Sequence, residues 1–364
     1  MDRKQELERL LQQFRQLGID RQIDYNKYYL YSIITHSTAI EGSTVTEIEN
    51  QMLFDHGISA GGHTLIEQYM NLDLKAAYER CMELAKAGTD ITVEVLKELS
   101  SIVMKRTGQL YRTALGDFDS SNGDLRLLNV TAGFGGRSYM SYDKVPAKLQ
   151  EFCQRLNKER KKVGRKTAID KYMLSFDAHY ELVTIHPWAD GNGRMARLLM
   201  NMIQFEFGLV PAKIRTEDKP RYIEALVKTR EQDDKSIFRD FMLEVMIGNL
   251  KADIEAYVES TGEVLPVVNR KEKSREKIVR LLGENPKMTT NTLAEAIGIS
   301  PKAVERHLAS LKKEGLIIRV GPDKGGHWEV VVGGELFVAI NRFRTRTCTR
   351  RRVETRASSS SRGS

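Results

Sequence analysis

The twelve residues from His186 to Arg197, HPWADGNGRMAR, bring the side chains that phosphate chemistry requires into one loop and one helical turn. Two glycines around Asn192 leave the backbone able to take positive φ, so that N–H groups of Gly191, Asn192 and Gly193 converge on an anion. A helix starting at about residue 194 adds its positive end at the same point. Arg194 and Arg197 lie three apart at that start, on a shared face, and can grip phosphate oxygens bidentately. Asp190 supplies a hard oxygen of the kind Mg²⁺ prefers beside nucleotide phosphates. His186 is the only member of the set that titrates near neutral pH, which makes it the natural general base. Together these groups describe phosphoryl or nucleotidyl transfer, where a protein mostly positions groups and stabilises charge. The chain has no GxxxxGK[ST] sequence and no kinase motif set, which argues against the P-loop and protein-kinase routes to such chemistry.

The elements that must hold this loop are helices. A helix over 167–185 delivers His186, and a second over 194–207, closed by Gly208 and Pro211, carries both arginines away from it. Upstream, Leu7, Leu10, Leu11 and Phe14 are spaced as one apolar helical face, and another helix is expected from Tyr25 to Ser37. Thr46 and Glu49 have the form of a capping box. Further helices are predicted at 64–87, 91–106, 145–158, 219–232 and 236–258. Between them, LGDFDSSNGDLRLLNVTAGFGGRSYMSY reads as loops and a small hairpin. No repeat of 20–50 residues argues for a solenoid.

The net charge of +8 over 364 residues is unevenly placed: residues 342–364 carry +7, 270–332 carry +5, and 1–269 carry −3. The large body is mildly acidic and the basicity lies at the C-terminal end. Cys81, Cys153 and Cys348 are odd in number and far apart, so neither a disulfide framework nor a zinc site is indicated, and a reducing, cytoplasmic home is expected. No apolar run nears the roughly 18 residues that span a bilayer, and the charged start lacks the apolar core of a signal peptide.

On the residues 186–197, the chain resembles the Fic family of protein adenylyltransferases, whose signature is HPFx[DE]GNGRxxR; Trp188 stands where Phe is usual. AIDKYMLSFDAHYELVTI and RLLMNMIQFEFGLVP are similar to the helices on either side of that motif. PRYIEALVKTREQDDKSIFRDFM looks like the family's closing segment, and LNVTAGFGGRSYMSY stands where the family has its flap hairpin. The resemblance implies transfer of AMP from ATP to a Ser, Thr or Tyr hydroxyl of a target protein. His186 would deprotonate that hydroxyl, and Asp190 would bind Mg²⁺ at the α- and β-phosphates. Gly191, Asn192 and Gly193 would form the anion hole, and Arg194 and Arg197 would hold the β- and γ-phosphates. Arg137, Ser138, Tyr139 and Met140 of the flap would clamp the target backbone as an added strand, and Tyr222 would lie by the adenine. Ser37-Thr-Ala-Ile-Glu41-Gly42 fits the family's inhibitory pattern [ST]xxxE[GN]. By that analogy Glu41 pairs with Arg197 and occupies the place of the γ-phosphate. Removal of AMP, with Glu41 orienting a water, is allowed by the same motifs. His179 reads as a packing histidine, His36 has no assigned role, and Met195, Met200 and Met202 read as core.

Residues 270–332 give helix, helix, helix and hairpin, with Ser300 as N-cap, Pro301 in the first turn and Gly315 as stop. This resembles a winged helix-turn-helix. As a DNA reader it would present Lys302, Arg306 and Lys313 to the major groove and Lys324 from the wing; as an alternative it serves protein contacts. The expected architecture is mainly α: an N-terminal helical region with the inhibitory helix (1–90), a Fic core with a β-hairpin flap (91–260), a linker (261–269), a winged helix (270–340) and a disordered basic tail or cloning remnant (341–364). The expected ligands are ATP and Mg²⁺, and the expected partner is a target protein, with duplex DNA or a second copy of the chain as further candidates. A DNA-binding regulator that keeps the Fic core as a nucleotide sensor is the alternative function.

Overall fold

A computed structural model of the chain describes residues 2–22, 24–131, 138–262, 274–322 and 326–330. The expected linker, 261–269, is therefore described only at 261 and 262, and Arg137, Lys324 and the tail lie outside the described residues. Two units, Met1–Val264 and Leu265–Ser364, have separate cores.

The first unit runs α1 (Arg3–Gln16), α2 (Tyr25–Ile40), α3 (Glu47–His56), α4 (Leu65–Lys86) and α5 (Val93–Val103), then a hairpin of β1 (Leu110–Thr113) and β2 (Gly116–Asp119). It continues with α6 (Val145–Val163), α7 (Ala168–Ile185), α8 (Asn192–Glu206), α9 (Lys219–Gln232) and α10 (Lys235–Thr261). Local sequence explains the helix starts. Thr46 with Glu49 forms the expected capping box, and Thr64 with Glu67 and Thr167 with Asp170 form two more. Helix α6 runs five residues past its expected end, because Arg160 is buried and donates to Glu206, Asn157 and the Thr89 carbonyl.

Helix α8 is the axis of the unit: α7, α4 and α5 pack around it, and nearly all of its residues are buried. A helix buried all round must be apolar or satisfied along its length. Leu198, Leu199, Met202 and Ile203 meet that demand in its middle, beside Leu74, Tyr78, Leu99 and Leu182 of the neighbours. The same cluster takes in Ile33 and Ile34 of α2, so helices on both sides of residue 90 share one core. Since the core closes around α8 on every side, Arg194 and Arg197 at its first turns are also drawn inside.

The second unit consists of α11 (Ser274–Glu284), α12 (Thr290–Ile297), α13 (Pro301–Lys313) and an antiparallel hairpin, β3 (Ile317–Val320) with β4 (His327–Val330), in register Ile317↔Val330. Ile278, Leu282, Leu293, Val304, Leu308, Leu311 and Ile317 form its core. Ser300 caps α13 through the Ala303 N–H at 3.3 Å, and Gly315 has φ +73° after it. Lys302, Arg306 and Lys313 are all exposed on α13. No helix among the described residues is long and apolar enough to cross a membrane.

Candidate active site

Helix α7 ends by delivering His186 into a left-handed conformation, φ +53°, with its N–H still bonded to the Leu182 carbonyl at 3.0 Å. For a residue with a Cβ that conformation costs about 1–2 kcal/mol, so the surroundings must hold it. Trp188 anchors the loop: it is fully buried and its indole N–H donates to the Gly123 carbonyl at 3.2 Å. Asn192 closes the loop, accepting from the Trp188 N–H at 3.1 Å and donating to the Trp188 carbonyl at 2.8 Å. Asn192→Ala would leave both backbone groups unpaired in the interior. We expect a loss of about 1–3 kcal/mol, read as a lower urea midpoint at unchanged slope.

Only Gly191 of the two flanking glycines takes positive φ, at +79°. Gly193 is helical, because α8 begins two residues earlier than its sequence suggests. What Gly193 requires is space: a Cβ there would sit 2.5 Å from Glu41 Oε1 and 3.1 Å from Arg197 Nη1. At Gly191 a Cβ would instead meet Met104 Sδ at 2.8 Å.

Both arginines are buried. Arg197 donates from Nε to Ser37 Oγ at 2.8 Å and from Nη2 to the Ser37 carbonyl at 3.0 Å and Glu41 Oε1 at 2.5 Å. Arg194 Nη2 lies 3.5 Å from the exposed carboxylate of Asp190 and 3.2 Å from Met104 Sδ. Arg194 Nε, Arg194 Nη1 and Arg197 Nη1 have no hydrogen-bond partner among the described residues. Three buried guanidinium N–H groups without acceptors, at the positive end of a helix, fit an anion with several oxygens. The carboxylate of Asp190 fits a hard cation beside such an anion. Burial alone would raise the Glu41 carboxyl, but Arg197, with Arg194 and Lys219, outweighs it and holds the pKa below the usual value.

Helix α2 is locked behind this pair by a buried amide network. Thr38 donates to Asn71 Oδ1 at 2.7 Å, Asn50 Nδ2 donates to Thr35 Oγ1 at 2.8 Å and to Asn71 Oδ1 at 2.9 Å, and Asn71 Nδ2 donates to Ser43 Oγ at 3.0 Å. His36 faces the other way, to Thr216 and Glu47.

Above the loop, Thr131 and Ser138 form an antiparallel bridge, and Tyr139 N–H donates to the Val130 carbonyl at 3.0 Å. This is the base of the expected flap; Ser138 is exposed and Met140 is half-buried. The Tyr139 ring stacks on His186 with centroids 3.7 Å apart, and Arg230 covers the tyrosine at 5.4 Å. His186 Nδ1 lies 3.2 Å from the Val183 carbonyl. Burial, with the Arg126 charge adding to it, pushes the His186 pKa down to about 4, so the imidazole is neutral at pH 7.

Tyr222 is buried: its hydroxyl pairs with His179 Nε2 at 2.9 Å and its ring lies 6.0 Å beneath the Arg197 guanidinium. His179 is a packing residue, stacked on Phe238. Burial drives its pKa down to about 3, against about 6.5 in an unfolded chain. Between those values the unfolded chain binds the extra proton. Stability is therefore full above pH 6.5 and falls towards pH 3, by up to about 1.4 kcal/mol per pH unit for this group. Urea midpoints should show that decline, and His179→Gln should flatten it.

Sequence reasoning missed Arg126, Met104 and Arg230. Arg126 left one sign, a charged residue inside the apolar run LRLL. Its guanidinium is buried and donates from Nε to the His186 carbonyl at 2.8 Å, from Nη1 to the Leu128 carbonyl at 2.7 Å and from Nη2 to the Met140 carbonyl.

Residues 90–204, which contain this loop and the elements that present it, match the Fic/DOC family. The chain carries a Fic domain. Residues 271–318 match the family described as winged helix-turn-helix DNA-binding, so a winged helix-turn-helix follows the Fic unit. Protein adenylyltransferase fic-1 of Caenorhabditis elegans is 27% identical over 201 residues, 55% of this chain and 36% of its own length. Protein adenylyltransferase Fic of Drosophila melanogaster is 28% identical over 209 residues, 57% of this chain and 38% of its own. The chain spans about two-fifths of the length of these curated relatives. A Fic-domain-containing signalling protein from Bacteroides thetaiotaomicron VPI-5482 superposes with a TM-score of 0.60 at 22% identity, over 71% of this chain and 98% of that one. A Fic family protein from Desulfovibrio desulfuricans G20 gives 0.54 at 19% identity, over 92% of this chain and 96% of the other. The Fic fold, mainly helical, is thus shared with these two structures.

Proposed function

We propose that the protein transfers AMP from ATP to a hydroxyl group of a target protein, with pyrophosphate as the leaving group, and is restrained by Glu41. The observation that carries this is the group of three unpartnered guanidinium N–H donors of Arg194 and Arg197, buried at the start of α8. The names of the curated relatives, protein adenylyltransferases, support the same reading. The α8 arginines would bind the outer phosphates, and the backbone of Gly191 to Gly193 would face the rest of the chain of phosphates. Asp190 would hold Mg²⁺, which when bound neutralises phosphate charge. Neutral His186 would take the proton of the attacking hydroxyl through its Nε2, since Nδ1 faces the Val183 carbonyl. Glu41 occupies one N–H of Arg197 and so competes with phosphate for it. Buried Cys81 and Cys153, both free, suit a reducing compartment, and we place the reaction in the cytoplasm.

The test is protein labelling by the Glu41→Gly chain from ATP carrying the label at the α-phosphate or at the γ-phosphate. Label should enter protein from the α position only; entry from the γ position would mean phosphoryl transfer instead. A second reading concerns the winged helix, where exposed Lys302, Arg306 and Lys313 stand on α13 and Glu314 is engaged by Arg275 and Ser310. Duplex DNA binding by that face would weaken steeply with salt; salt-independent binding, or none, would remove it.

A further inference from the structure

We propose that Arg126 is the positioning residue that couples the general base to the two bridged chain segments above it, an inference that rests on the nucleotidyl-transfer reading. Arg126 is 1% exposed, and among the described residues no carboxylate pairs with it. Burying a cation against carbonyl dipoles alone is costly, and an apolar side chain of similar volume would pack there with less penalty. What an apolar residue lacks is the planar fork of donors.

That fork joins three stretches of chain. Nε holds the His186 carbonyl, Nη1 the outgoing segment at Leu128, and Nη2 the returning segment at Met140. The Arg126 backbone N–H adds a bond to the Pro187 carbonyl at 3.0 Å. One residue before Met140, Tyr139 lies flat on the imidazole. The base is thus fixed from two sides, through its own carbonyl and through the ring covering its face, and both supports converge on Arg126. A displacement of these bridged segments must move the imidazole with it. The charged groups that act on His186 are Arg126, Asp190 and Glu41, while Arg230 reaches it across the Tyr139 ring. A lysine at 126 would keep the charge but is a single point donor and could not bridge three carbonyls.

The experiment uses the full chain with Glu41→Gly as parent and compares Arg126→Lys and Arg126→Gln. Three quantities are read: the initial self-labelling rate at saturating α-labelled ATP, the ATP dissociation constant, and the His186 titration midpoint by NMR of ¹³C-labelled imidazole. Both variants should label at least tenfold more slowly with ATP affinity within twofold of the parent. Arg126→Gln should also raise the His186 midpoint, and Arg126→Lys should leave it closer to the parent. Rates within twofold of the parent, or a rate loss matched by an equal loss of ATP affinity, would overturn the coupling. A parent that transfers no AMP would sink the transfer reading alone. The midpoint then decides for Arg126, and an unchanged value in Arg126→Gln overturns the proposal.

Discussion

His186→Ala is expected to lower AMP transfer by about 10²- to 10⁴-fold, the usual contribution of a positioned base, while ATP affinity stays within a few-fold. The separation of the two effects follows from where the donors lie. The groups proposed to bind phosphate belong to α8, beginning at Asn192, whereas His186 belongs to the end of α7. The histidine is kept neutral by burial, and its Nδ1 lies against the Val183 carbonyl, which leaves Nε2 as the proton acceptor. The acid limb of the rate profile should therefore fall near pH 4 rather than 6.5, because protonation of the imidazole removes the base only below its lowered pKa. Initial rates of Glu41→Gly with and without His186→Ala, taken from pH 3.5 to 8, check both statements. Transfer reduced less than tenfold would remove His186 from the role of base.

Glu41→Gly should raise transfer by about 10- to 100-fold. The carboxylate is carried to Arg197 by a rigid helix end, at 2.5 Å, and the guanidinium is buried. A hydrogen bond to a charged group contributes about 1.5–3 kcal/mol, and each 1.4 kcal/mol is a factor of ten in competition with phosphate. Ser37 keeps its two contacts to Arg197 in the variant, so the arginine stays oriented when the carboxylate is gone. Glu41→Gln separates charge from bulk and should release the site only in part. Equal initial rates for the wild type and Glu41→Gly would rule out restraint by this residue.

The parts of this architecture that are written locally were legible in the sequence. Thr46 with Glu49 and Ser300 with Pro301 start helices through partners within three residues, and their starts lie where the sequence puts them. The loop from His186 to Arg197 was legible for the same reason, as one contiguous stretch. Roles that depend on distant chain were not. Gly193 needs its missing Cβ because of Glu41, which arrives from a helix about 150 positions earlier. Tyr222 occupies the space beneath Arg197 because His179 offers its hydroxyl a partner inside the core. Arg126 left only the charge inside LRLL as a sign, since its partners are main-chain carbonyls, which every residue possesses.

The bare Cα at Gly193 also constrains how the proposed control by Glu41 can drift over generations. Any side chain there evicts the Glu41 carboxylate, yet it fills the same space that a nucleotide's outer phosphate would need beside Arg197. A lineage selected for constant activity therefore has no single-step route through the catalytic helix. Its escape alleles would fall at Glu41, or at Asn50 and Asn71, whose buried amides keep the end of α2 in place. The residues doing the chemistry would remain unaltered in such descendants, and divergence in regulation would be written in the first quarter of the chain.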